Sequence, residues 1–582
     1  MISLSLVNSL LWLDRLHNSC YYTVMKLRVA YAKRRYKDKI YETPLVVTSY
    51  RDDQGTSRNK TIVSLAKLPK YIVKLVEEGL KRGDTSILDD YAQVQKIEYA
   101  RSVVVGPAFV VLTVLKQLGI YDAVMASLPP QQAAAMMNIL VERVVSAKPL
   151  SVMAQQRRFR REPLTFLLDE KEAPALKTWY AALKTLEERR EPMLRKLFAR
   201  NHAPSDLYLY DITSSYFEGQ TCPLAEYGYN RDGKKGKKQV VLGVICDPDG
   251  CPVWMDVFKG STSDQTTVKQ ELLNLKTKLE LEGFTFVGDR GMVTHARIEE
   301  LEREGWWEEF TYITALKRRE MMALVEDERH PIQLELFDHK RLTEVEHEDT
   351  RYVLCHNPQR EHQDQETRLR LLALTEQKLE CLRANVTAGR VKKKDVIVRR
   401  LHRWINRWGM ERFFTATCEE GAFTYGRREE EIERYARLDG CYVIRSNVAA
   451  ARRATGELRD SYKDLKHVEQ AFRTMKTTDI QTRPIRHFSE QQVRGHLFAC
   501  FLAYRVIWEL RQRLAPVLAR DPDSKRCEAG SLAEIWRELA DITVAKLEVC
   551  GATHHKLSHI TPYARKLLTL CRVPSLETIL SE

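Results

Sequence analysis

Residues 26–68 carry short runs in which apolar and polar positions alternate, interrupted by the cationic turns KRRYKDK and RDDQGTSRNK. A period of two marks half-buried strands, so three strands are predicted here, with a helix over 69–82. From about 86 to 200 the period lengthens to that of amphipathic helices, predicted over 106–118, 131–146 and 173–201. At Leu207 the texture changes again. LYLYDIT, VVLGVICD and CPVWMDVFKG read as three buried strands, the last two joined by an Asp-Pro-Asp-Gly turn. A helix over 266–282 follows, then the strand-like FTFVGDRG and FTYITALK. Strands and helices in this order predict an α/β fold, a sheet covered by helices.

The pattern is then broken between 319 and 437 by further strand-like pieces and two charged helices, 363–385 and 393–408, before CYVIRSN resumes the sheet. A long helix over 492–514 and a helical tail end the chain. The predicted division is an extension outside the fold at 1–24 and a small β-rich subdomain at 25–85. A helical region at 86–204 is followed by a core in two parts, 205–318 and 438–515, around an insertion at 319–437. Residues 516–582 form a helical C-terminal region. The extension follows from a start that makes a poor signal peptide, with Asp14 and Arg15 in place of a basic opening, and from the change of texture at Met25.

One segment, Tyr462 to Lys476, departs from simple amphipathicity. Wound as a single helix, it puts Tyr462, Lys466, Glu469, Arg473 and Lys476 on one stripe. Leu465, Val468, Phe472 and Met475 form a second stripe, and Lys463, His467, Gln470 and Thr474 a third, solvent-suited side. An ordinary surface helix has a core face and a wet face. The third face presents a carboxylate framed by cations and a tyrosine.

Composition sharpens this picture in three ways. The 582 residues exceed what one core can use and imply about three or four domains. With 93 Lys+Arg against 79 Asp+Glu the net charge is +14, which favours a polyanionic partner such as nucleic acid. The 12 cysteines form no Cys-x2-Cys pair and read as reduced thiols, and His554, His555 and His559 lack partners at metal-site spacing. The longest apolar run, 103–115, carries Gly106 and Pro107 and reads as a core helix, so no membrane partner is expected.

The candidate chemistry is acidic. Asp211 ends the strand LYLYD and Asp289 ends FTFVGD, and reactive groups of α/β sheets gather where side chains leave the packed core. Joined by Glu469, they would form three converging carboxylates that repel one another unless a divalent cation or protons intervene. Oxygen-only ligands select Mg²⁺ or Mn²⁺. Such ions support in-line phosphoryl displacement, with neighbouring cations holding phosphates. The loop 230–239, NRDGKKGKKQ, offers Lys234, Lys235, Lys237 and Lys238 for a DNA backbone, and the patch QQRRFRRE at 155–162 is a weaker candidate. Trp404 and Trp408, four apart on one helix, suit core packing better than base stacking.

YKDLKHVEQAFRTMK resembles the signature of DDE transposases of bacterial insertion sequences, in the insertion sequence four branch marked by Tyr-x2-Arg-x3-Glu-x6-Lys. Tyr462, Glu469 and Lys476 match it, and Leu465 stands where the arginine belongs, with Lys466 or Arg473 as substitutes. Asp211 in YDITSSYF and Asp289 in GDRGM resemble the other two acids of that family. The gap between Asp289 and Glu469 has room for the insertion that members of this branch carry. The resemblance implies a ribonuclease H-like core interrupted by an insertion and a helical region that binds DNA ends. It also implies Mg²⁺ or Mn²⁺ held by Asp211, Asp289 and Glu469. Tyr462, Lys466, Arg473 and Lys476 are expected at DNA. The expected partners are double-stranded DNA, as terminal inverted repeats and target, and a second copy of the chain in the synaptic complex. The expected location is the bacterial cytoplasm. The rivals are a stand-alone metal-dependent nuclease of the same fold and a DNA-binding derivative without activity.

Overall fold

The computed structural model describes the chain apart from residues 1–26, 37–38, 53, 67–69, 83–97, 147, 160–162, 168–172, 203–204, 220, 307–309, 340, 519–530, 550–551 and 576–582. The expected extension at 1–24 therefore lies outside the described residues. Two compact units are present, one of residues 1–102 with 544–557, the other of 103–543 with 558–582.

In the first unit, β1 (Leu27–Tyr36), β2 (Lys39–Arg51) and β3 (Ser57–Ser64) form an antiparallel sheet in that order. Val46, Leu65 and Val73 make its small core, with Val76 and Leu80 of the helix Lys70–Arg82 packed against it. A second sheet joins β4 (Glu98–Val104) to the hairpin Thr543–Val549 and Ala552–Leu557. The C-terminal region is thus not wholly helical. Its alternating TVAKLEV and ATHHKL are period-two runs that pair with each other, and the first also pairs with a strand more than 400 residues earlier.

The second unit is built on one eight-stranded mixed sheet. Its strands are β5 (Leu207–Tyr216), β6 (Gln239–Cys246), β7 (Pro252–Lys259), β8 (Thr285–Gly288), β9 (Thr311–Ala315), β10 (Thr343–His347), β11 (Thr350–His356) and β14 (Cys441–Ser446). Their order is β10-β11-β14-β9-β8-β5-β6-β7, with β5, β8 and β9 parallel and the other pairings antiparallel. β6 is buried along its whole length, the result of near-continuous apolar sequence covered on both faces.

Helix Glu490–Arg513 is mostly buried from Val493 to Leu510. It lies so close to helix Leu176–Glu188 that a Cβ at Gly495 would stand 1.9 Å from the Leu183 carbonyl oxygen, so only glycine fits there. Helix Gly106–Gln117 is buried from Gly106 to Leu115. Among the described residues no single helix is long and apolar enough to cross a membrane, although this helix and Ile120–Ser127, bent by 80°, pass together by length and composition.

The interruption begins later than expected. Strands β10 and β11 belong to the main sheet, and Met321, Met322, Val325, Ile332 and Phe337 pack against Tyr352, Leu354 and Val443 of that sheet. Residues 319–356 are therefore part of the core unit. The segment with a core of its own runs from helix Pro358–Thr387 through helix Lys394–Ile405 to the hairpin β12 (Phe414–Glu419) and β13 (Ala422–Arg427). Leu379, Ile397, Phe413 and Phe423 lie at its centre. Short, charged β10, TEVEH, pairs on one side only. That made it hard to tell from insertion sequence.

Candidate active site

Strand register places the first two acids. β5 and β8 run parallel with Tyr210 opposite Gly288, so the next residue on each strand is an aspartate, Asp211 and Asp289. β8 stops at Gly288, whereas β5 continues to Tyr216 against β6 alone. Asp211 is therefore not at a strand end, as expected, but in mid-strand. It faces an opening because its neighbour ends.

The segment carrying Glu469 is not one helix. Helix Thr455–Lys463 ends at Asp464, helix Leu465–Arg473 begins there, and Thr474–Thr478 form a wider π turn. The single stripe from Tyr462 to Lys476 is broken at both ends. Leu465, Val468, Ala471 and Phe472 bury the inner face of the middle piece against β5 and β6. Three such apolar side chains (Leu465, Val468 and Phe472) contribute roughly 1.5–3 kcal/mol each. Leu465, at the position of the signature arginine, is 8% exposed and serves this packing. His467, assigned to solvent, instead meets the β6–β7 turn. Its Nδ1 lies 3.0 Å from the Pro248 carbonyl oxygen, and a Cβ at Gly250 would press on it.

Asp211, Asp289, Glu469, Tyr462, Leu465 and Lys466 line one cleft of about 620 Å³, with Arg290, Arg318 and Arg360 on its walls. Burial pushes the Asp211 carboxyl up to about 7, and the charges of Asp289 and Glu469 push the same way. The Ile212 N–H, bonded to Asp211 Oδ1 at 2.7 Å, and the Arg231 guanidinium pull it down. The Tyr462 hydroxyl donates to Asp289 Oδ1 at 3.1 Å, and burial together with that carboxylate raises the phenol.

Lys476 is drawn into a buried ion pair. Its Nζ donates to Asp232 Oδ1 at 2.9 Å, and the Arg483 guanidinium pairs with the same oxygen. Only 11% of the Lys476 side chain and 2% of Asp232 are exposed. Burial lowers the Lys476 ammonium below its ordinary value more than Asp232 raises it. Lys466 is exposed and stands 3.5 Å from Asp464. Arg473 is exposed on the outer face of its helix. Lys234, Lys235 and Lys237 are exposed and Lys238 half-buried on the β5–β6 loop, where Lys234 lies over the Tyr216 ring. Trp404 and Trp408 stack at 6.3 Å, half-buried, with Arg407 over both rings and Trp408 against the core of the inserted segment.

A divalent cation suits the acid cleft by its donor set. Three carboxylates, one of them held near neutrality by burial and repulsion, gain from a compact positive charge, and oxygen donors fit Mg²⁺ or Mn²⁺. A different group, His202, Asp247 and Cys251, draws its ligand atoms within 4.8 Å of one another. The side chains of His554 and His555 lie outside what the structure describes.

Sequence reading missed the roles of Arg231, Asp232, Asp264 and Arg483. The one available signal was Asp232 itself, an acid in the middle of a loop otherwise rich in lysine.

Residues 203–506 match the family described as "Transposase DDE domain". No curated protein sequence is detectably similar to the chain. Among solved structures, the piggyBac transposase synaptic complex with hairpin DNA aligns at a TM-score of 0.35 and 11% identity, over 78% of this chain and 75% of that one.

Proposed function

The chain belongs to the transposase DDE-domain family, whose members cleave and transfer DNA with divalent metal ions, and from that premise we propose that it is the transposase of a bacterial insertion sequence. It binds terminal inverted repeats, cuts at the element's ends, and joins the freed 3′-hydroxyl to target DNA. The catalytic core is ribonuclease H-like and carries the inserted segment between Asp289 and Glu469. The observation that carries this reading is one cleft lined by Asp211, Asp289 and Glu469, inside the span that matches the family.

Asp211, Asp289 and Glu469 would hold Mg²⁺ or Mn²⁺. When bound, the metal supplies charge for activating the attacking oxygen and stabilising the leaving one in an in-line displacement. The chain's own residues do the rest. Tyr462 fixes the orientation of Asp289 through its hydroxyl, so one carboxylate oxygen stays turned to the cleft. Arg290, Lys466 and the loop lysines Lys234, Lys235, Lys237 and Lys238 provide positive charge for the DNA backbone. Lys476 acts indirectly, through Asp232. Pairing of two ends requires a second copy of the chain.

A labelled duplex carrying the repeat that flanks the gene, incubated with protein, Mg²⁺ and a supercoiled target, tests this. Nicking at the repeat end followed by joined product is expected. Cutting without joining would make the protein a nuclease, and binding alone would make it an inactive derivative.

A further inference from the structure

The β5–β6 loop is built, not loose. Asp232 receives Lys476, Arg483 and, at 3.0 Å, the Tyr216 N–H. The Arg231 N–H donates to Ser214 Oγ at 3.1 Å, and Asn230 Oδ1 accepts the Asp232 N–H at 3.0 Å. Ser214 and Tyr216 lie on the strand that carries Asp211, and Lys476 on the turn that follows the helix of Glu469. The loop is thus fastened to both elements that bring acids to the cleft.

Those fastenings deliver one guanidinium to the acids. Arg231 pairs with Asp264, the first residue of helix Asp264–Lys278, and its charge acts on Asp211. Asp264 and Asp289 flank the same glycine: a Cβ at Gly291 would lie 3.8 Å from Asp264 Oδ2 and 3.9 Å from Asp289 Oδ2. Arg290 and Lys466 line the cleft itself, whereas Arg231 acts on it from beside Asp264; the Lys466 side chain is 65% exposed against 20% for Arg231. A guanidinium carries five N–H donors in a planar fork. Asp264 takes one edge, which orients the fork and leaves donors for a phosphate oxygen.

We propose that Arg231 grips a backbone phosphate of the DNA strand entering the acid cleft, and that Asp232 and Asp264 are the positioning residues that hold it ready. This rests on the transposase reading above and names the residue through which that site takes its substrate. The arrangement also explains why Lys476 and Arg483 share a buried carboxylate. Their charge secures the loop instead of meeting DNA directly.

The test compares wild type, Arg231→Ala and Arg231→Lys as full chains, with thermal unfolding as a check on folding. The substrate is the terminal-repeat duplex with Mg²⁺, and single phosphates around the cut are replaced in turn by neutral methylphosphonates. Arg231→Ala is expected to cleave on the order of 10²-fold more slowly at saturating DNA. Arg231→Lys should recover part of that loss, because a point charge cannot serve Asp264 and a phosphate as a fork does. One methylphosphonate position should slow wild type strongly and Arg231→Ala hardly at all. Asp232→Asn should reproduce the loss with Arg231 still in place. If wild type cuts and every methylphosphonate affects it and Arg231→Ala alike, the assignment of Arg231 is overturned and the transposase reading stands. If wild type cuts no DNA, the transposase reading fails and this assignment with it.

Discussion

Asp211 and Asp232 lie on the same strand–loop segment, and the protein treats them in opposite ways. Asp232 is almost completely buried and collects two cations and a backbone N–H. Asp211 sits among other carboxylates, has one backbone N–H and the influence of Arg231, and is held up to about 7. A carboxylate satisfied by the fold can only hold structure. One left in electrostatic debt by the fold is free to take a ligand, and the cleft beside it shows where that ligand enters. Two cations gather instead 21 residues along the chain, at Asp232 on the loop that borders it.

The comparison breaks if the two Asp→Asn changes behave alike. Asp211→Asn should lower cleavage and joining by at least about 10³-fold, since no neutral amide replaces a carboxylate ligand. It should also make the metal-free protein more stable. An acid whose folded value is raised above its unfolded one contributes destabilisation that grows as pH rises from about 4 to about 7 and is complete above that. At pH 8 its removal should return about 1–2 kcal/mol, after allowing for solvent in the cleft. Asp232→Asn should do the reverse and cost about 3 kcal/mol at any pH near neutrality, because Lys476 and Arg483 lose the charged partner of a buried pair. Urea midpoints of both variants without metal, read against wild type, give the two signs directly.

A third site sharpens the contrast with two imidazoles that carry no charge. His496 is buried, its Nε2 lies 3.1 Å from the Thr482 carbonyl oxygen, and the His487 ring stands 4.9 Å away. Burial lowers both imidazoles to about 3, assisted by the charge of Arg143. A histidine with a depressed folded value is neutral in the fold and protonated in the unfolded chain below about 6.5. Its stability contribution is therefore intact above that pH and lost as pH falls toward 3. For His496 the loss at pH 5 is about 2 kcal/mol. Acid unfolding that begins near pH 6 in wild type should shift to lower pH in His496→Gln.

The centre of the main sheet was legible because its strands are apolar runs, and β5, β6, β8 and β9 stand where their residues put them. Asp211 and Asp289 could be picked out because each follows such a run. What escaped depended on contacts between distant segments. β10 is short and half-polar and becomes a strand only by pairing with β11. The tail hairpin pairs with β4, and periodicity carries no information about that partner. The Tyr462–Lys476 segment has a helical period throughout, so the turn at Asp464 that separates Tyr462 from Glu469 left no mark in the pattern. For the same reason Lys476 looked like a DNA contact. Its partner, Asp232, is 244 residues away.

The smallest expected effect decides what Tyr462 does. The resemblance assigns this tyrosine to the DNA backbone, whereas its hydroxyl is bonded to Asp289. A phenol raised by burial and by that carboxylate remains a neutral donor through the working pH range, suited to fixing one acid oxygen and unsuited to proton transfer. Tyr462→Phe keeps the ring's packing and removes only the hydrogen bond, a change of about 1 kcal/mol or several-fold in rate. If the tyrosine orients Asp289, the loss appears as a higher Mn²⁺ requirement with the KM for DNA unchanged. If it holds the DNA end, the KM rises and the Mn²⁺ requirement stays as in wild type. Titrating Mn²⁺ and duplex separately against the initial cleavage rate tells the two apart, and the first result would count Tyr462 with Asp211 and not with the loop around Asp232.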